Sequence, residues 1–174
     1  MRVLFRDLDL DVATALALAF AREPLVDVLC EDIFASGAAD AIVSPANSHG
    51  WMDGGINLAY IQRFGDDLER RLRLMIRQDH AGLLPVGHAL AIKTDASDIP
   101  WMISAPTMEV PMAVPRSLNA YKAFRATLLL ARQHGFETLL CPGFCTLTGR
   151  MEPEEAASQM RWAWGEVAAQ PDCS

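Results

Sequence analysis

The sequence has few cysteines and no long hydrophobic run, and each shortage excludes a class of protein. Four cysteines in 174 residues are too few and too scattered for the disulfide framework of a secreted domain of this size. The longest apolar stretch, residues 12–21, includes Thr14 and is far shorter than the roughly 18 residues of a membrane span. The first eleven residues hold two arginines and three aspartates, which is not the pattern of a signal peptide. We therefore expect a cytoplasmic protein that is not attached to a membrane.

Positive charge is also scarce. The chain has 15 Lys and Arg residues against 22 Asp and Glu residues, which gives a net charge of -7. We therefore do not expect the protein to bind a nucleic acid through its phosphates. Hydrophobic residues make up 51% and charged residues 21% of the chain, as in globular domains. A chain of this length usually forms one domain, which we place at residues 1–170 with a loose tail over residues 171–174. The oligomeric state stays open.

Metal chemistry has little support in the sequence. Cys141 and Cys145 have the spacing CxxxC, but no second Cys/His pair at ligand spacing follows them. Cys30 and Cys141 lie within apolar runs, where a free cysteine behaves as a small buried hydrophobe. We therefore expect neither a metal site nor a cofactor.

Apolar runs of strand length alternate along the chain with longer helical patterns. Strands are predicted at residues 2–5, 25–30, 41–44, 88–94, 101–105 and 136–141. Helices are predicted at residues 56–64 and 66–78, after a cap at Asp9 or Asp11, after a cap at Ser117, and from Pro153 onward. Strands that alternate with helices indicate the α/β class, with a mostly parallel sheet covered on both faces.

Two glycine-containing loops each follow a predicted strand and precede a predicted helix. The first loop covers residues 45–55 and ends in Gly54-Gly55, and the second covers residues 142–149, with two glycines and two threonines. Open α/β sheets bind ligands at the carboxyl ends of their strands, glycines let backbone N–H groups approach a ligand, and a helix N-terminus favours an anion. Neither loop is a Walker P-loop or matches GxGxxG, and such turns also occur for conformational reasons alone.

The order of these pieces resembles the macro domain family. Residues 40–48, DAIVSPANS, and residues 54–56, GGI, are similar to that family's strand DAIVNAAN and its GGGV turn. Glu31-Asp32-Ile33 resembles the family's GDI, and residues 87–94 resemble its GEA…T strand. Residues 142–149 stand where the family has its second phosphate loop. The resemblance covers residues 25–164 and implies a three-layer α/β/α sandwich around a mixed, mostly parallel sheet.

The macro domain family binds ADP-ribose, and some members remove ADP-ribose from proteins or act on related compounds. The resemblance implies that Asp32 accepts a hydrogen bond from the adenine amino group beside Ile33, and that Asn47 contacts the distal ribose. Backbone N–H groups for the diphosphate are implied at Gly54, Gly55 and Ile56. On the other side, the second loop is implied to contact the ligand through Gly143, Cys145, Thr146, Leu147, Thr148 and Gly149. The implied partner is ADP-ribose or an ADP-ribosylated protein.

Several positions depart from the family's pattern. Ser44 stands for the first asparagine of NAAN, and Cys145 and Leu147 occupy glycine positions of the second loop. A hydrolytic subgroup has Asp and His where this chain has Asn57 and Ile61, and an amide cannot act as a general base. The resemblance therefore supports ADP-ribose binding more than hydrolysis. Three hypotheses remain: an ADP-ribosyl hydrolase, a reader that binds without turnover, and an interaction module that kept the fold without the ligand.

Three residues of the first loop have two interpretations each. His49 and Asp53, together with Asn47, are the candidates for catalysis, with His49 or Asp53 as an acid or base. His49 could instead be an ordinary polar loop residue, and Asp53 could cap the following helix. Trp51 either stacks on a ribose or base of the ligand or packs under the loop.

Overall fold

A computed structural model describes residues 1–168; residues 169–170 and the tail predicted at 171–174 lie outside the described residues. The strands are β1 (Arg2–Arg6), β2 (Val26–Leu29), β3 (Ala41–Ser44), β4 (Leu90–Lys93), β5 (Trp101–Ser104) and β6 (Thr138–Cys141). The helices are α1 (Leu10–Ala19), α2 (Gly55–Phe64), α3 (Asp67–Asp79), α4 (Asn119–Gln133) and α5 (Pro153–Ala168), and a short 3-10 helix covers Ile33–Ser36.

The six strands form one sheet in the order β2-β1-β6-β3-β5-β4. All neighbouring pairs are parallel except β4, which runs antiparallel to β5 at one edge. The sheet is therefore mixed and mostly parallel, as predicted. Because β6 lies between β1 and β3, the segments that follow these three strands meet at one end of the sheet although they are far apart in the chain.

Alternate residues of each central strand face opposite sides of the sheet, and each side has its own hydrophobic core. In β1, Val3 and Phe5 belong to the core beneath α1, α4 and α5, while Leu4 belongs to the core beneath α2 and α3. In β3, Val43 and Ile42 divide in the same way. This alternation produces three layers, α/β/α, and confirms the predicted fold class.

Most predicted element boundaries differ from the structure by one or two residues, and two of these differences have a clear local cause. Ser117 was the expected cap of α4, but the cap position is Leu118, whose carbonyl accepts from the Lys122 N–H at 3.0 Å. The Ser117 hydroxyl instead lies in the preceding turn, where it accepts from the Asn119 N–H at 3.3 Å. The strand predicted at 88–94 begins only at Leu90, because the chain turns at Gly87, where φ is +95°.

Local sequence signals mark the starts of two other helices. Asp9, not Asp11, caps α1, since its carboxylate accepts from the N–H groups of Asp11 and Val12. Pro153 opens α5, with Glu154 and Glu155 in its first turn. Within residues 1–168, none of the helices is both long and apolar enough to cross a membrane.

Candidate ligand-binding cleft

A cleft of about 840 Å³ opens at the carboxyl ends of the parallel strands. Its walls come from the end of β1 and the residues after it (6–9), and from the segments that follow β2 (31–34), β3 (45–59), β5 (107–111) and β6 (142–149). The first and second loops, which are separate in the sequence, both line this one cleft. Open α/β sheets bind ligands at this place.

Asn47 shapes the first loop. Its Oδ1 accepts from the backbone N–H groups of His49 at 3.1 Å and Trp51 at 3.2 Å, and its Nδ2 donates to the Trp51 carbonyl at 2.9 Å. The side chain is 7% exposed and lines the cleft. Because these three bonds engage both the oxygen and one N–H of the amide, a single N–H remains for the predicted ribose contact.

The N-terminus of α2 faces the cleft without a side-chain cap. Gly54 occupies the cap position, and Gly55, at φ +57°, is the first residue of the helix. The N–H groups of Gly54, Gly55 and Ile56 donate to no acceptor within the described part of the chain. A helix leaves its first N–H groups unpaired unless a cap or a ligand accepts from them, so three predicted residues present donors together.

Ser44 and Asn57 form a buried pair beneath this helix N-terminus. The Ser44 hydroxyl, fully buried at the end of β3, donates to Asn57 Oδ1 at 2.6 Å. Asn57 is 9% exposed and lines the cleft, and its Nδ2 has no hydrogen-bond partner among residues 1–168. One turn later, the Tyr60 hydroxyl donates to the Val43 carbonyl at 2.9 Å, and burial raises the pKa of Tyr60 well above its usual value. The two bonds tie α2 to β3.

The second loop is held by contacts that require its glycines. The Gly143 N–H donates to Asp7 Oδ2 at 3.0 Å, and a Cβ on Gly143 would overlap Val12. A Cβ on Gly149 would overlap the Cys145 backbone. Gly143 therefore lies in the cleft lining, but its N–H is already engaged by Asp7.

Cys145 has an unusual backbone conformation for a residue other than glycine. Its φ is +63°, in the left-handed region that glycine favours. Burial raises the pKa of its thiol to about 12. From Cys145 to Gly149, the N–H groups donate to no acceptor in the range 1–168, so this loop presents a second row of free donors.

Asp32, Ile33 and Phe34 form the wall that follows β2. Asp32 is exposed, and its Oδ1 accepts from the Phe34 N–H at 2.8 Å, which starts the short 3-10 helix. Ile33 is 5% exposed and belongs to the core, so only a small part of it reaches the cleft. Phe34 packs against the Tyr60 ring, with centroids 5.8 Å apart. The wall thus combines a carboxylate with apolar surface.

The remaining predicted residues divide between the cleft and its surroundings. Trp51, Asp53, Ile56, Thr146, Leu147 and Thr148 line the cleft. Leu147 is 75% exposed, and its Cδ2 would lie 3.5 Å from a Cβ on Gly55, so the two loops nearly meet there. His49 is not brought into the lining; its ring stacks on Trp51, with centroids 4.7 Å apart.

Sequence reasoning missed Arg6 and Asp7, which also line the cleft. The signal for them is positional: a charged pair directly after an apolar strand stands at the carboxyl end of the sheet, as the two loops do. Arg6 is the one cation of the lining within the described residues, against five carboxylates: Asp7, Asp9, Glu31, Asp32 and Asp53. Three of these carboxylates accept from backbone N–H groups: Asp7 from Gly143, Asp9 from Val12 and Asp32 from Phe34.

Comparison with known proteins identifies the family. The family model described as Macro domain matches residues 43–160. An uncharacterised protein of Aquifex aeolicus is 34% identical over 122 residues, which cover 70% of this chain and 70% of that protein. The macrodomain of Mycobacterium tuberculosis DarG superposes with a TM-score of 0.64 at 17% identity, over 77% of this chain and 84% of that one. A mutant Oceanobacillus iheyensis macrodomain with ADPR gives 0.66 at 16% identity, over 77% and 74%. The chain thus belongs to the macro domain family.

Proposed function

We propose that the cleft binds ADP-ribose, either free or attached to an acceptor protein. The observation that carries this proposal is that two segments lining one cleft, Gly54–Ile56 and Cys145–Gly149, have backbone N–H groups without acceptors in residues 1–168. A diphosphate offers oxygen acceptors on both sides, and helix N-termini and loop amides bind such anions without side-chain cations. The solved Oceanobacillus macrodomain with ADPR supports the same ligand.

The other parts of ADP-ribose match the remaining walls. Asp32 presents a carboxylate oxygen with no partner among the described residues, which suits the exocyclic amine of adenine, beside the apolar surface of Ile33 and Phe34. Near the first loop, Asn57 Nδ2 is a donor without a partner in residues 1–168 and can bind a ribose or phosphate oxygen. Asn47 acts mainly on the ligand through the loop that it holds. Trp51 offers its ring to the distal ribose.

Calorimetry with ADP-ribose tests the binding proposal. We expect saturable heat with ADP-ribose and weaker binding of AMP and of ribose 5-phosphate, each of which lacks one end of the ligand. Because the anion is bound by N–H groups and not by lysines, we expect the affinity to change little with salt concentration. The absence of heat at high micromolar ADP-ribose, or a steep loss of affinity with salt, would contradict the proposal.

Hydrolysis is the second candidate function, and one observation favours it: Asp53 is an exposed carboxylate in the cleft lining, next to the N–H row of the first loop. Asp53 can serve as a general base for water, whereas Asn57 cannot. A turnover assay on an ADP-ribosylated protein, with Asp53→Ala and Asn47→Ala beside the wild type, tests it. Loss of turnover in Asp53→Ala with binding retained supports the hydrolase. Tight binding without turnover in the wild type leaves a reader module.

A further inference from the structure

Arg6 is a buried cation to which the proposed function assigns no role. It ends β1, lines the cleft and is only 5% exposed. Its Nη2 donates to Asp27 Oδ2 at 2.6 Å, and its Nη1 donates to the Phe5 carbonyl at 2.7 Å. Arg6 is therefore anchored to β1 and to the neighbouring strand β2.

The same guanidinium holds both ends of the segment that carries Asp32. Its Nε lies 2.9 Å from Glu31 Oε1 and donates to the Ser36 hydroxyl. Ser36 in turn donates to Glu31 Oε1 at 2.9 Å, so the start and the end of residues 31–36 are joined through one side chain. Asp32 lies inside this closed segment, and among the described residues its carboxylate accepts only from the Phe34 N–H.

The energetics of a buried ion pair favour a geometric role for Arg6. A buried arginine paired with carboxylates adds little net stability relative to apolar packing, because burial removes the hydration of its charge, whereas Asp27 and Glu31 stay partly exposed. The pair instead fixes geometry, because a planar guanidinium donates its hydrogen bonds at fixed angles. The exposed Asp32 has no such bond of its own, so the position of its carboxylate depends on the segment around it.

We propose that Arg6 is a positioning residue for recognition of the base: it fixes residues 31–36 so that the free oxygen of Asp32 meets the exocyclic amine of adenine. This inference rests on the proposed ADP-ribose binding. It assigns to Arg6 an effect on one end of the ligand only. A ligand without the exocyclic amine cannot donate a hydrogen bond to Asp32. Arg6 therefore affects the ratio between the affinity for ADP-ribose and the affinity for such a ligand.

The experiment compares ADP-ribose with its 6-deamino analogue, which has purine in place of adenine, by calorimetry. For the wild type we expect about tenfold or more weaker binding of the analogue, the usual effect of losing a hydrogen bond to a charged group. In Arg6→Lys, which keeps the charge but not the planar fork, we expect ADP-ribose affinity to fall about fivefold or more while affinity for the analogue changes less than about twofold. The ratio of the two affinities then falls by at least about 2.5-fold, from the fivefold and twofold changes above.

Arg161→Lys is the matched control, because Arg161 pairs with Glu23 at 2.5 Å outside the cleft lining. We expect it to leave the discrimination unchanged. Glu31→Gln, at a half-buried side chain, gives a second test if Arg6→Lys does not fold, and we expect a smaller loss of discrimination in the same direction. The inference is overturned if Arg6→Lys weakens the binding of both ligands equally or leaves the discrimination between them unchanged. It is also overturned if Glu31→Gln leaves the discrimination unchanged, or if Arg161→Lys lowers the discrimination as much as Arg6→Lys does.

The two proposals fail in distinguishable ways. A wild type that binds neither ligand overturns ADP-ribose binding and this inference with it. A wild type that binds both ligands equally leaves ADP-ribose binding intact and overturns the role of Arg6, because there is then no base discrimination for it to support.

Discussion

The Ser44 hydroxyl donates to Asn57 Oδ1 across 2.6 Å, from the end of the buried strand β3 to the first turn of α2. A hydroxyl that donates to the amide oxygen orients the amide, so the NH₂ group is the part of Asn57 left for the cleft. The pair places a hydrogen-bond donor where the hydrolytic relatives, by resemblance, have a carboxylate. This difference motivates the first two predictions.

Asn57→Asp should weaken ADP-ribose binding several-fold, because it replaces a donor by a sixth carboxylate of the lining, close to an anionic ligand. The new carboxylate can act as a general base, so it should also raise turnover of ADP-ribosylated protein above the wild-type level. Calorimetry and a turnover assay measure the two effects. Gln62→Glu, on the exposed side of the same helix, adds the same charge outside the lining and should change neither. Unchanged affinity in Asn57→Asp would show that Asn57 does not face the ligand.

Ser44→Ala should lower the free energy of unfolding by about 1–2 kcal/mol, because it leaves the buried Asn57 oxygen without its donor. Urea denaturation measures the difference. Ser104 is the matched control: it lies beside Ser44 on the neighbouring strand β5, is equally buried, and its hydroxyl has no hydrogen-bond partner among the described residues. Ser104→Ala should therefore be neutral or slightly stabilising. Equal destabilisation by both variants would mean that the Ser44–Asn57 bond adds nothing.

Gly54→Ala and Gly55→Ala should differ although the two residues are adjacent. Gly55 has φ +57°, where an alanine is strained by about 1–2 kcal/mol, whereas Gly54 has extended backbone and open space around its Cα. We expect Gly55→Ala to reduce both the free energy of unfolding and ADP-ribose affinity, since the strain falls on the N–H row. Gly54→Ala should change the unfolding free energy by less than about 0.5 kcal/mol. The reverse order in denaturation experiments would contradict the assigned backbone geometry.

Alkaline pH should destabilise the protein through Cys145. Its thiol has a pKa of about 12 in the folded chain against 9.0 as the ordinary value, so the folded state holds the proton more tightly. The resulting stabilisation is complete below pH 9 and is lost as the pH rises from about 9 to about 12. Cys145→Ala should make the decline of the unfolding free energy over this window shallower, whereas Cys30→Ala, at an exposed cysteine, should not. An unchanged decline in Cys145→Ala would refute the assignment.

Much of the fold follows from local patterns in the sequence. The apolar run at 41–44 and the proline after it predict β3 with its observed bounds, and Pro153 marks the start of α5. These elements could be predicted because strand alternation, caps and proline act over a few neighbouring residues. The position of the two loops at the cleft could also be predicted, since a loop after a parallel strand lies at the carboxyl edge of the sheet.

The bonding of individual site residues could not be predicted in this way. The Gly143 N–H is engaged by Asp7, 136 residues away, only because β6 lies beside β1. Arg6 reaches the segment 31–36 for a similar reason, since β2 pairs with β1 on its other side. The sequence by itself thus determined the elements, the loops and the family. The order of the strands decided which donors remain free, because hydrogen-bond partners distant in the chain are chosen by packing and not by local pattern.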